Sequence, residues 1–146
     1  MPVKLNTFLI AVLLAASLST SAAHGQSGFK LVVHPSNPTS SLTREQAAKL
    51  FLKKANTWSD GRAAVPVDQP ESSAVRVAFS KLVLGKKISE VQAYWQQQIF
   101  SGRAIPPVEK PTDAQVVRFV AGNELAIGYV AEGAATGELK VVRISD

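Results

Sequence analysis

The chain has 146 residues, with 16 Lys and Arg against 11 Asp and Glu for a net charge of +5, 46% hydrophobic residues and no cysteine. A chain of this length makes one domain, and the lack of cysteine excludes both a disulfide framework and a thiolate metal site. The positive charge is dispersed, its longest runs being the pairs Lys53-Lys54 and Lys86-Lys87, with no interleaved aromatics, which argues against a nucleic-acid partner.

The first residues carry the three-part layout of an export signal. Lys4 supplies a positive n-region, Phe8 to Leu18 is apolar apart from Ser17, and Ala23-His24-Gly25 fits the small-x-small cleavage rule. The run falls short of the roughly 20 apolar residues a membrane span needs, so the expectation is a removable signal over residues 1–25. The remaining domain, 26–146, is then periplasmic or secreted, with no retained membrane anchor.

Beyond it, strand and helix signals alternate. Phe29 to His34 is β-rich and ends at Pro35; residues 36–41 read as a loop. Three S/T-x-x-Q capping boxes, Thr43 with Gln46, Ser89 with Gln92 and Thr112 with Gln115, predict three helix starts. The first helix runs from Arg44 to about Lys54 with Ala47, Ala48, Phe51 and Leu52 inward. Trp58-Ser59-Asp60-Gly61 reads as a turn, its Trp folded back on the core. Ala64 to Asp68 is a short strand that contains Pro66, hence an edge or a strand start.

A second helix begins at Ser72 or Ser73 and stops at Gly85, with Val75, Phe79, Leu82 and Val83 at the spacing of a buried face. The third runs from Glu90 to about Phe100, with Val91, Tyr94, Trp95 and Ile99 on one side. A short strand near Pro107 to Glu109 precedes the fourth helix, Asp113 to Ala121, with Val116, Val117 and Val120 inward and Gly122 as a left-handed stop. Leu125 to Val130 and Leu139 to Ile144 complete the set. The alternation predicts an α/β domain: a mixed sheet of about five strands flanked by four helices.

The chemistry-bearing residues are few. Ser72, Ser73 and Arg76 form the best candidate ligand site, because a helix start offers unpaired N–H groups and partial positive charge to an anion. On the alternative reading a serine only caps the helix while Arg76 pairs with Glu71 or Asp68. His34 is the single histidine after the signal, so no transition-metal site is expected. Ser27-x-x-Lys30 lies at the frayed start of the domain, Gly85-Lys86 lacks the upstream glycine of a phosphate loop because Ser80 stands there, and nothing sets the carboxylates of Asp68 and Glu71 in opposed environments. No catalytic residue and no cofactor are therefore predicted.

Several phrases resemble the substrate-binding proteins of bacterial phosphate ABC transporters. Leu50-Phe51-Leu52-Lys53-Lys54 is similar to a helix end of the "IFLGK" type, and Trp58-Ser59-Asp60-Gly61 to the "W-x-D/N-G" turn before the strand Val65-Pro66-Val67. Ala126-Ile127-Gly128-Tyr129-Val130 resembles that family's "G-A-I-G-Y-V" strand. Tyr94-Trp95, Phe100-Ser101-Gly102-Arg103 and Pro106-Pro107 look more like a short, single-lobe branch of the same superfamily. The resemblance covers about Lys30 to Ile144 and implies one lobe of a two-lobed, periplasmic-binding-protein-like clamp. It also implies a small oxyanion such as phosphate as ligand and an ABC transporter or other envelope protein as partner. The family's "R-S-D-G-S-G-T" segment corresponds to Val67 through Arg76. Ser72 and Ser73 fall near its serine and threonine, Asp68 or Gln69 stands at the Arg position, and Glu71 stands where the anion would lie. The same resemblance leaves room for a lobe that has become a ligand-free protein-interaction module.

Overall fold

A computed structural model describes residues 28–146; the expected signal lies outside the described residues. Six strands form one sheet: β1 (Phe29–Val33), β2 (Ser41–Thr43), β3 (Val65–Asp68), β4 (Val108–Glu109), β5 (Ala126–Ala131) and β6 (Lys140–Ser145), in the order β2-β6-β1-β5-β3-β4. β1 runs antiparallel to both neighbours, pairing Leu31 with Tyr129 of β5 and with Val142 of β6, while β2–β6, β5–β3 and β3–β4 are parallel. The sheet is therefore mixed, with one more strand than the sequence predicts.

Four helices cover it: α1 (Arg44–Phe51), α2 (Ala74–Phe79) continued by a π-turn (Ser80–Leu84), α3 (Ile88–Phe100) and α4 (Asp113–Ala121). Alternation along β1 and β5 divides the core. Leu31, Val33, Ile127 and Tyr129 face α1 and α2, where they meet Phe51, Phe79 and Val83. Val32, Ala126 and Val130 face α4 and meet Val116 and Val120. Close approach of α4 depends on Gly128, because a Cβ there would lie 2.7 Å from Val116 Cγ1 and 2.8 Å from Val67 Cγ1. On the other face the Phe79 and Tyr129 rings stack at 4.0 Å with 5° between planes, and Phe51 and Phe29 meet Phe79 edge-on. α3 packs outside this layer through Val91 and Trp95 against Leu52.

Several local expectations are corrected or resolved. α3 starts at Ile88, not Glu90, and its cap is Lys87, whose backbone N–H donates to Glu90 Oε2 at 2.6 Å; Ser89 is inside the helix and caps nothing. Leu82 points outward, at 48% exposure, because the π-turn widens the helical period and moves the buried phase from 82 and 83 to 83 and 84. Ile99 is likewise exposed. Gly122 ends α4 with φ −92°, so the left-handed stop is not used there; Gly85, after the π-turn, is the left-handed one at φ 64°. For β3 the strand-start reading holds, Pro66 being its second residue, and the edge reading does not, since β4 lies beyond it. β4 begins only beside Val67, so no partner on that side asks Pro66 for an amide proton.

Candidate functional site

The parallel strands β5, β3 and β4 end on one side of the sheet, where α2 and α3 leave a cleft of about 340 Å³ lined by Asp68, Glu71, Arg76, Trp95, Pro107 and Glu109 among others. Clefts at the carboxyl ends of parallel strands are the usual ligand position in open α/β sheets.

At its base is a buried polar network. Asp68 is the last residue of β3 and Arg76 lies one turn into α2; they are 6% and 4% exposed, and Arg76 Nη1 is 2.7 Å from Asp68 Oδ1. The same Nη1 donates to the Gln69 carbonyl at 2.8 Å, while Arg76 Nε has no partner. Asp68 Oδ1 also accepts from the Tyr129 hydroxyl and, at 2.9 Å, from the Gln69 N–H. Gln69 then ties three elements together, its Nε2 donating to Asp113 Oδ1 at 2.8 Å and to the Tyr129 carbonyl at 3.0 Å, its Oε1 accepting from Ser73 Oγ at 2.9 Å.

Each placement has a local cause. Ser73 is the N-cap of α2, its Oγ accepting from the Arg76 N–H at 3.3 Å; this fixes the first turn and directs Arg76 down toward the end of β3. Tyr129 sits on the α2-facing side of β5, so its hydroxyl reaches past Phe79 to Asp68. Burial pushes the Asp68 carboxyl above the usual carboxylate range, against the opposing pull of Arg76, the Tyr129 hydroxyl and the Gln69 N–H. Burial and the Asp68 charge push the Tyr129 phenol far up, so it stays a neutral donor.

Of the three residues singled out from the sequence, Ser73 and Arg76 belong to this network, whereas Ser72 is exposed beside it. Arg76 pairs with Asp68, and Glu71 instead accepts from Gln92 Nε2 of α3 across the cleft mouth. The cleft offers a ligand the Glu71, Gln92 and Glu109 side chains and the edge of the Asp68–Arg76 pair, with the exposed Ser72 outside its lining. Sequence reasoning missed Tyr129, Gln69 and Asp113. A signal for the first existed: a tyrosine inside a continuously buried strand needs a partner for its hydroxyl.

No family model matches the chain, and no curated protein does. Solved structures do share its fold. One, from Clostridium perfringens, is assigned to the phosphate ABC transporter substrate-binding proteins and holds bound phosphate. It matches with a TM-score of 0.65 at 23% identity over 80% of this chain and 44% of its own. An ABC-type phosphate transport receptor from Vibrio cholerae matches at TM-score 0.64 and 20% identity, over 82% and 47%. PstS from Borrelia burgdorferi matches at 0.63 and 16%, over 81% and 47%. At these identities the likeness establishes the fold, that of a periplasmic-binding-protein-like lobe. The chain spans less than half the length of the solved structures it matches.

Proposed function

We propose that this chain is an exported solute-binding-like domain, directed out of the cytoplasm by residues 1–25, that takes a small oxyanion such as phosphate in association with an ABC transporter and performs no catalysis. The observation that carries the reading is the position of Ser72, Ser73 and Arg76. They open α2 at the carboxyl end of β3, beside the cleft, in a fold shared with a phosphate-bound substrate-binding protein. Arg76 keeps one unpartnered N–H at Nε, and Gln92 engages the Glu71 carboxylate that would repel an anion.

The test is thermal stability of the purified protein across phosphate, sulfate and other oxyanions. A ligand that binds only the native state stabilises it by about 2.7 kcal/mol at a hundredfold excess over Kd. A saturating shift with one anion, weakened in Ser72→Ala, is the expected result; Ser72 is exposed, so its loss leaves the fold intact. A flat response across the panel refutes oxyanion binding. It favours a second reading, a ligand-free protein-interaction module of the cell envelope, for which the specific observation is that Asp68 already neutralises Arg76.

A further inference from the structure

The Asp68–Arg76 pair is bonded on one side only. Asp68 Oδ1 accepts from the Tyr129 hydroxyl and the Gln69 N–H and lies 2.7 Å from Arg76 Nη1, whereas Oδ2 accepts no hydrogen bond among the described residues. The guanidinium mirrors this: Nη1 meets Asp68 and the Gln69 carbonyl, while Nε and Nη2 meet no acceptor among the described residues. Both side chains are more than nine-tenths buried, and both line the cleft. Other charged groups approach Asp68 from several elements. Glu109 of β4 stands beside it in the ladder and Glu71 reaches the cleft from the loop before α2. Asp113 of α4 is one link away through Gln69. Lys110 turns aside, its ammonium 5.2 Å from the Phe119 ring centre, and α3 brings no charge to the cleft lining. With Asp68 ionised, three carboxylates therefore face one guanidinium, and an arriving anion is repelled. Glu71 and Glu109 are exposed and screened by water, so Asp68 is the carboxylate whose charge decides.

We propose that Asp68 is a proton-operated gate on this cleft: a small anion binds as Asp68 takes a proton on Oδ2, whose O–H then donates to the anion while Arg76, no longer neutralised, donates from Nη2. The proton changes two things at once. It removes the negative charge that sits against Arg76, and it turns an acceptor-only carboxylate into a donor. Arg76 keeps its charge at every relevant pH, so the state of the pair is set by Asp68 alone. Oδ1 is already held by Tyr129 and Gln69, which keeps the carboxyl in place whether or not Oδ2 is protonated. Burial raises this carboxyl above the usual range, so the proton goes on at a higher pH than for an exposed aspartate. Such a gate rests on the oxyanion reading above and adds its regulation: anion affinity rises as the pH falls.

The experiment is titration calorimetry of the purified protein between neutral and mildly acid pH. The probes are sulfate, a dianion throughout, and inorganic phosphate, corrected for its own second ionisation. Affinity should rise on acidification by up to about tenfold per pH unit, the limit for one linked proton, and level off once Asp68 is protonated. Above that point each sulfate bound should bring close to one proton onto the protein, read from the heats in buffers of different ionisation enthalpy. Asp68→Asn, uncharged at every pH, should bind tightly throughout and take up no proton with sulfate. Tyr129→Phe removes a donor to the ionised Oδ1 and should move the onset of tight binding to higher pH. It keeps the ring stacked on Phe79, so it decides the matter if Asp68→Asn does not fold. Affinity that is the same at every pH, with no proton uptake, overturns the gate and leaves oxyanion binding standing. Acid-enhanced binding that persists unchanged in the variants also overturns it, and points to Glu71 or Glu109 instead. No binding of either anion at any pH, in wild type and variants alike, overturns the gate together with the oxyanion reading.

Discussion

Removing Arg76 tests how much of the fold rests on the network beneath the cleft. Arg76→Met keeps most of the side-chain volume but leaves the Asp68 carboxylate, 6% exposed, without its cation. Breaking a buried pair in this way costs about 3–5 kcal/mol, a fifth or more of a domain stability of about 5–15 kcal/mol. The Tyr129 hydroxyl and Gln69 N–H still reach Asp68, which places the expectation nearer 3 than 5. Replacing both partners, Arg76→Met with Asp68→Asn, leaves an uncharged acceptor for those two donors and should cost at least 1–2 kcal/mol less than the sum of the single changes. Burial already holds the Asp68 carboxyl high, and Arg76 is the largest influence opposing that rise. Without Arg76 the carboxyl therefore takes up a proton more readily, and the Arg76→Met penalty should shrink as the pH falls from 7 toward 4. Urea unfolding of the four proteins at both pH values reads all of this. A single-variant cost under about 1 kcal/mol at neutral pH, or a double variant as costly as the two singles together, would refute the buried, coupled pair.

The other predictions concern packing, caps and titration. Gly128→Ala forces a methyl against Val116 and Val67 at under 3 Å and should cost about 1–3 kcal/mol, seen as a lowered urea midpoint with an unchanged slope. Phe79→Ala removes the ring shared by Phe29, Phe51 and Tyr129; the expected loss is about 3–5 kcal/mol, and a loss below 2 would mean the cluster collapses to fill the gap. Thr43→Ala deletes a true capping box, with Thr43 Oγ1 accepting from the Gln46 N–H at 3.1 Å and Gln46 Oε1 accepting from the Thr43 N–H at 2.9 Å. It should cost about 1 kcal/mol, whereas Ser89→Ala should stay within about 0.5 kcal/mol. Because the native Asp68 carboxyl is raised above its unfolded value, the folded chain binds the extra proton first, and the contribution of this group improves as the pH falls through that raised value. The stability gap between wild type and Asp68→Asn should therefore move in favour of wild type on acidification; movement the other way would reverse the assigned shift.

What the sequence discloses and what it hides divide along physical lines. α1 and α4 are legible because a hydroxyl three residues before a Gln precedes an unbroken periodic stripe, and both Thr43 and Thr112 do cap. The same pattern misleads at Ser89, because Glu90 offers a carboxylate to Lys87 one turn earlier, and a charged acceptor there captures the helix start. Leu82 follows a perfect 3.6-residue spacing and still faces out, since the π-turn that shifts the phase has no sequence signature of its own. β2 is three residues long, too short for alternation to register, and is made a strand by β6 beside it. Within the site, the Ser73 cap and the Arg76–Asp68 pairing are among the readings the residues allow; the links from Gln69 to Asp113 and from Tyr129 to Asp68 join segments 44 and 61 residues apart, and no local pattern encodes them.

The order of the sheet has a kinetic consequence. β1, the first strand, lies between β5 and β6, the last two, and its partners are about a hundred residues further along the chain, the kind of distant pairing that slows folding. The helical segments can form earlier, but this strand stays bare until residues 126–145 are available. A chain emerging from a ribosome or threading a narrow pore thus holds the apolar ribbon Leu31-Val32-Val33 without a neighbour until β5 arrives, and locks shut only when β6 slides in beside it.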